Sequence, residues 1–165
     1  MKALLVLRHA KSSWKNSGVD DHDRPLKKRG RRASTRVGRL LLEQNLMPDL
    51  IVSSTAVRAV ETVRLLVEAC GYRGDRHTRR ELYLARPDAY VDAVRELGGA
   101  ADRVLVVGHN PGLQALVVGL TGQDIELKTA TLVLIEFPID HWGASRLDGR
   151  GQLLQFWTPE SLERA

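Results

Sequence analysis

A single cysteine, Cys70, in 165 residues leaves no partner for an intrachain disulfide and suits a reducing compartment. It falls on the apolar stripe of a predicted helix and reads as a core residue. Long apolar runs are also missing. The N-terminus offers Lys2 and then five apolar residues before Arg8, too few for the apolar region of a signal peptide, and nothing approaches a membrane span. The expectation is therefore a cytoplasmic enzyme or binding protein with no membrane partner. Aromatic residues make up only 5% of the chain and are not interleaved with cations as in single-strand binders. That absence speaks against a nucleic-acid partner, although the net charge of +5 and an isoelectric point near 9.7 invite one. The cations gather in Lys27-Lys28-Arg29-Gly30-Arg31-Arg32, with Arg36 and Arg39 following. Such a run reads as a solvated helix face, or as a surface that steers an acidic substrate or protein partner. No repeat, low-complexity tract or linker divides the chain, so residues 1–165 are expected to form one domain.

What is present is a pair of histidines, each placed directly after a strand-like apolar run. Ala3-Leu4-Leu5-Val6-Leu7 opens onto Arg8-His9-Ala10-Lys11, and Val104-Leu105-Val106-Val107 leads through Gly108 to His109-Asn110-Pro111-Gly112. Short apolar runs without polar alternation read as buried strands of a parallel sheet. In open α/β sheets the ligand lies beyond the carboxyl ends of the strands, so both imidazoles are expected on one functional edge. Between them, Leu50-Ile51-Val52 reads as another buried strand, followed by Ser53-Ser54-Thr55 as helix N-cap residues and by Arg58 in the first helical turn. Asp23-Arg24-Pro25-Leu26 is expected to open a long helix, with proline in its first turn. Glu81-Leu82-Tyr83-Leu84 reads as a short edge strand or loop, and Pro87-Asp88 as a helix start. The rhythm then changes. Thr131–Phe137 and Gln152–Trp157 read as a hairpin that adds antiparallel strands to a mostly parallel sheet.

Arg8, Arg58 and the two histidines together suggest phosphate chemistry. Arginine offers a planar fork of donors and stays charged at any working pH. The helix after His109, with Asn110 as N-cap, would favour an anion at its amides. A neutral imidazole can attack phosphorus and split one hard displacement into two easier ones. A protonated second histidine and the arginines would then stabilise the equatorial oxygens. Other nucleophile patterns fit poorly. Cys70 and Arg76 have C-x5-R spacing, but Cys70 ends a helix where that motif needs a strand and a phosphate loop. No G-x-S-x-G elbow, P-loop or H-E-x-x-H pair is present, and the five histidines form no closely spaced ligand pair.

Arg8-His9, the segment Ser53-Ser54-Thr55-Ala56-Val57-Arg58-Ala59-Val60-Glu61-Thr62, and Gly108-His109-Asn110-Pro111-Gly112 resemble the histidine phosphatase superfamily. Within it the chain looks like the small phosphohistidine phosphatases of the SixA type, over essentially its whole length. The resemblance implies a three-layer α/β/α sandwich, His9 as the nucleophile that is transiently phosphorylated, and Arg8, Arg58 and His109 as its phosphate pocket. It implies no metal and no organic cofactor. The partner it implies is a phosphohistidine-bearing protein. A small phosphorylated compound is the alternative substrate, and a non-catalytic phosphate-binding module the alternative of another class. Two departures stand out. Ala10 occupies the position where most members carry glycine, which costs stability if that turn needs φ > 0. A general acid is also not evident: Glu81 is the first choice and Asp21 or Asp23 the next, with structural salt bridging an alternative for each. Without such an acid the site should favour phosphoramidates or aryl phosphates over alkyl phosphates, because imidazole can be protonated before it leaves. Trp14 and Tyr83 are expected either to wall the pocket or to pack elsewhere.

Overall fold

The computed structural model describes residues 1–143 and 146–163. Six strands form one sheet in the order β3-β2-β4-β1-β5-β6. β1 (Lys2–Arg8), β2 (Leu50–Ser54), β3 (Asp75–Arg79) and β4 (Arg103–Gly108) run parallel. β5 (Leu132–Phe137) pairs antiparallel with β1, and β6 (Gln152–Trp157) pairs antiparallel with β5. The expected C-terminal hairpin is thus present, joined to a parallel core.

Alternation along the strands sorts side chains into two cores. Leu4, Val6, Val104 and Val106 face α3 (Pro87–Leu97) and α4 (Gly112–Thr121). Leu5, Leu7, Leu105 and Val107 face α1 (Lys28–Glu43) and α2 (Val57–Cys70), with Leu162 of the short α5 (Pro159–Glu163). Helices on both faces of a mostly parallel sheet make the three-layer α/β/α sandwich. Among the described residues no helix is long and apolar enough to cross a membrane.

Several local expectations shift. Pro25 does not open α1, which begins at Lys28. Asp21–Asp23 form a 3-10 turn, and the stretch after it is extended: Leu26 bridges Ser12, and the Lys27 amide donates to the Lys11 carbonyl (2.9 Å). These bonds tie the chain back to the loop after β1 and delay the helix. Ser53 and Ser54 belong to β2, and Ala56 is the N-cap of α2. The edge strand is Asp75–Arg79, and Arg80–Leu82 form a 3-10 turn where a strand or loop was expected. A strand of five polar residues at a sheet edge buries nothing that patterning can detect. Cys70 ends α2 as a buried residue, with Gly71 behind it in the left-handed conformation (φ 69°), while Arg76 stands on β3. This geometry rules out a cysteine phosphate loop.

Candidate active site

The register of the sheet assembles the site. Arg8 pairs with Gly108 across β1 and β4, so the next residues, His9 and His109, emerge side by side. Their ring centroids are 5.1 Å apart. Gly108 is required at this junction because a Cβ there would strike the hydroxyl and ring of the fully buried Tyr90. The Tyr90 hydroxyl accepts from the His109 amide (3.1 Å) and donates to the Leu82 carbonyl (3.3 Å), fixing the turn that leaves β4. Arg58, only 2% exposed, reaches in from the first turn of α2.

The protonation of His9 follows from its partners. Its Nδ1 lies 2.7 Å from the Ala10 carbonyl, which can only accept, so Nδ1 carries the hydrogen. The Nε2 lone pair is then free, and it accepts from Arg58 Nε at 3.3 Å. Burial, with repulsion from His109, Arg58 and Arg8, lowers the His9 pKa to about 3 against a raising contribution from the Ala10 bond. His9 is therefore neutral at pH 7, as a nucleophile needs. Ala10 has no positive φ; its amide donates to Thr62 Oγ1 (3.0 Å), so alanine carries no backbone strain at this position.

His109 differs from the expected protonated form. Burial, then Arg58 and Arg8, lowers its pKa to about 4 against the attraction of Asp21, leaving it neutral before substrate arrives. Its Nε2 lies 2.8 Å from Ser54 Oγ, while Nδ1 is buried with no hydrogen-bond partner among the described residues. Ser54 Oγ already accepts from the Ala56 amide (3.1 Å), so its own hydrogen is available to His109 Nε2. In that arrangement Nδ1 bears a hydrogen, and a neutral His109 can still donate to a phosphoryl oxygen. Ser54 was legible only as a capping residue; a hydroxyl ending a buried strand beside a histidine was the signal for more.

Asp21 organises the cations. Its carbonyl accepts from Arg58 Nη1 (2.6 Å) and its carboxylate from Arg58 Nη2 (3.0 Å) and Arg24 Nε (3.1 Å). The Tyr83 hydroxyl donates to the same carboxylate. That hydrogen bond first, then those from Arg58 and Arg24, hold the Asp21 pKa at about 2 despite partial desolvation. Arg8 donates through Nη1 to the Leu127 carbonyl (3.0 Å), and its Nε is buried without a partner among the described residues.

His9, Arg8, Arg58, His109 and Asp21 line an open cleft of about 310 Å³. The exposed Trp14 stands on its rim, with the Arg24 guanidinium 3.5 Å above its ring. Tyr83 sets its ring edge against His109 at 5.5 Å. Glu81 is not brought into this group: it is exposed on the 3-10 turn and does not line the cleft. Asp23 is exposed and pairs with His22 (3.1 Å). Asn110 is not the N-cap of α4, a position taken by Pro111; its side chain bridges the Leu127 carbonyl and the Gln114 amide. Among the described residues no group of three or more His, Cys, Asp or Glu side chains could hold a metal.

Comparison with known proteins agrees with this geometry. The sequence model of the histidine phosphatase superfamily (branch 1) matches residues 4–83. An uncharacterized protein of Mycobacterium leprae is 31% identical over 157 residues, spanning 93% of this chain and 95% of that protein. A SixA structure from Agrobacterium tumefaciens superposes with a TM-score of 0.82 at 27% identity, covering 96% of this chain and 98% of that one. A protein histidine phosphatase SixA solved with tungstate shares the fold, with a TM-score of 0.83 at 19% identity and coverage of 97% and 99%. With strand-end histidines, a matching family model and full-length structural relatives, the chain belongs to the histidine phosphatase superfamily and is a phosphatase of the SixA type.

Proposed function

We propose that the chain, acting as a single domain over residues 1–165, dephosphorylates phosphohistidine on a protein partner through a phosphoryl group carried transiently by His9. The observation that carries this reading is the fixed tautomer of His9. Its Nδ1–H is held by the Ala10 carbonyl, and its Nε2 lone pair faces Arg58. In the first step Nε2 attacks phosphorus as the bond from phosphorus to the substrate imidazole breaks. That imidazole, protonated beforehand on its other ring nitrogen, takes up the P–N bonding electrons and leaves neutral. In the second step water attacks the phosphoryl group, the His9–phosphorus bond breaks, phosphate is released and the water proton passes to solvent or phosphate. Arg8, Arg58 and the His109 Nδ1–H would hold the equatorial oxygens through both steps.

Substrate choice follows from leaving-group chemistry. Among the described residues Asp21 is the one carboxylate lining the cleft, and its pKa of about 2 leaves no proton to give at neutral pH. An alkoxide leaving group needs that proton, whereas imidazole does not. The reading is tested by hydrolysis of phosphohistidine, para-nitrophenyl phosphate and an alkyl phosphate without added metal, comparing wild type with His9→Ala. Loss of turnover in the variant, an acid-labile phosphoenzyme in wild type and a preference for phosphohistidine are expected. Equal turnover of alkyl phosphates would instead favour a small-molecule phosphomonoesterase. Wild-type binding of phosphate without turnover would indicate a binding module.

A further inference from the structure

We infer that a second, basic cleft beside the phosphate pocket binds acidic side chains flanking the phosphohistidine of a partner protein. This inference rests on the phosphohistidine reading above and adds to it a docking site for the protein that carries the phosphoryl group. The second cleft has a volume of about 440 Å³ and shares Arg8, Lys11, Asn110 and Thr129 with the first, so one bound segment can reach both. Its cations are Arg8, Lys11, Arg29 and Lys128, opposed by Glu126 and Glu160. Lys128 and Glu160 lie 3.6 Å apart and offset each other, which leaves Arg8, Lys11 and Arg29 against Glu126.

Local structure explains why cations gather there. Gly30 of α1 packs its backbone against Lys11, where any side chain would collide with the Lys11 carbonyl. The Lys27 amide donates to the same carbonyl (2.9 Å). These contacts pin the N-terminal turn of α1 to the loop after His9. Arg29 is thereby set in the cleft wall, and Lys27, Lys28, Arg31 and Arg32 stand exposed around it. None of these five, nor Lys11, makes an ion pair with a carboxylate among the described residues. A field of unneutralised cations costs stability through self-repulsion, and it is offset when an anionic partner arrives.

An acidic protein segment fits better than a nucleic acid. Among the described residues the cleft lining contains no aromatic side chain on which a base could stack, and Glu126 would repel a continuous phosphate backbone. Separate carboxylates on a folded partner can meet the cations and avoid that position.

The test uses three phosphohistidine peptides of equal length whose flanking residues are acidic, amide or basic. At low ionic strength kcat/KM should be about tenfold higher for the acidic peptide than for the amide one, with the advantage shrinking as salt is added. The triple variant Arg29→Gln, Arg32→Gln, Lys128→Gln should bring that ratio close to one. Its turnover of free phosphohistidine should stay within about twofold of wild type, since none of the three lines the phosphate pocket. Equal kcat/KM for acidic and amide peptides, or a ratio unchanged in the variant, would overturn the inference. Inhibition of the acidic peptide by a single-stranded oligonucleotide more strongly than by an acidic unphosphorylated peptide would also overturn it, assigning the surface to nucleic acid. Failure of the underlying reading would show separately, as absence of turnover of free phosphohistidine.

Discussion

Acidification is the perturbation to which the paired histidines are most sensitive. His9 and His109 are 5% and 1% exposed, and their pKa values are lowered to about 3 and about 4, chiefly by burial. In an unfolded chain both titrate near ~6.5. As pH falls from there, the unfolded chain takes up protons that the folded site refuses. The contribution to stability is thus fully present above that pH and is lost progressively toward pH 3. For His9 the span from 6.5 to about 3, at about 1.36 kcal/mol per pH unit, sets a ceiling of about 5 kcal/mol. That is comparable with the whole stability of a small domain, roughly 5–15 kcal/mol. Urea unfolding of wild type and His9→Ala from about pH 7.5 to about 4.5 measures it. Replacing His9 shifts the whole curve by a constant for the lost packing, so the slope is the informative quantity. Wild-type stability should fall more steeply with acid than that of the variant, and the imidazole carbon resonances of His9 should not move above about pH 5. Parallel curves, or a His9 midpoint near ~6.5, would refute the argument that burial and the arginines keep this ring neutral.

Other changes separate the roles of neighbouring groups. Ser54→Ala should lower kcat about tenfold and change the tautomer of His109 seen in its ring-nitrogen shifts, with Ser54→Thr restoring both. Asp21→Asn should cost about 1 kcal/mol in urea unfolding, a figure kept small because its carboxylate is partly solvated. It should slow phosphohistidine and aryl phosphate turnover by the same factor, and a selective collapse on esters would make Asp21 the proton donor. Glu81→Gln should leave kcat/KM within about twofold on both substrates; a larger loss would return it to the site. Gly108→Ala should destabilise the fold by about 2 kcal/mol or more, since the new methyl must displace the Tyr90 ring, and a neutral result would contradict that packing.

The parts of the site legible in the sequence are those tied to strand ends. The apolar runs before Arg8-His9 and Gly108-His109 announce their strands, and the sheet then places the rings without further information. Arg58 is equally visible because α2 begins almost at once after β2. Asp21 could be ranked only second among the acids. It reaches Arg58 from a polar loop whose path is set by distant partners, the Ser12–Leu26 bridge among them, and no periodicity records such a path. The tautomer of His109 was hidden for a similar reason, since it depends on a hydroxyl fifty-five residues away in sequence. β3 escaped notice because an edge strand of polar residues pairs its backbone without burying side chains.

The pairing of Arg8 with Gly108 also says which changes in chain length the site can survive. The distance between the two rings is set by one register between neighbouring strands, and the ninety-nine residues between these two do not enter into it. Extra residues in the loops, such as those after Leu97 or before Leu50, would lengthen the chain and leave the histidines where they stand. A single residue inserted within β1 or β4 would move one ring by about 3.3 Å along its strand and turn the inserted side's alternation inside out. Insertions scattered through this chain should therefore sort cleanly, with activity retained in the loops and lost together with the fold inside those two strands.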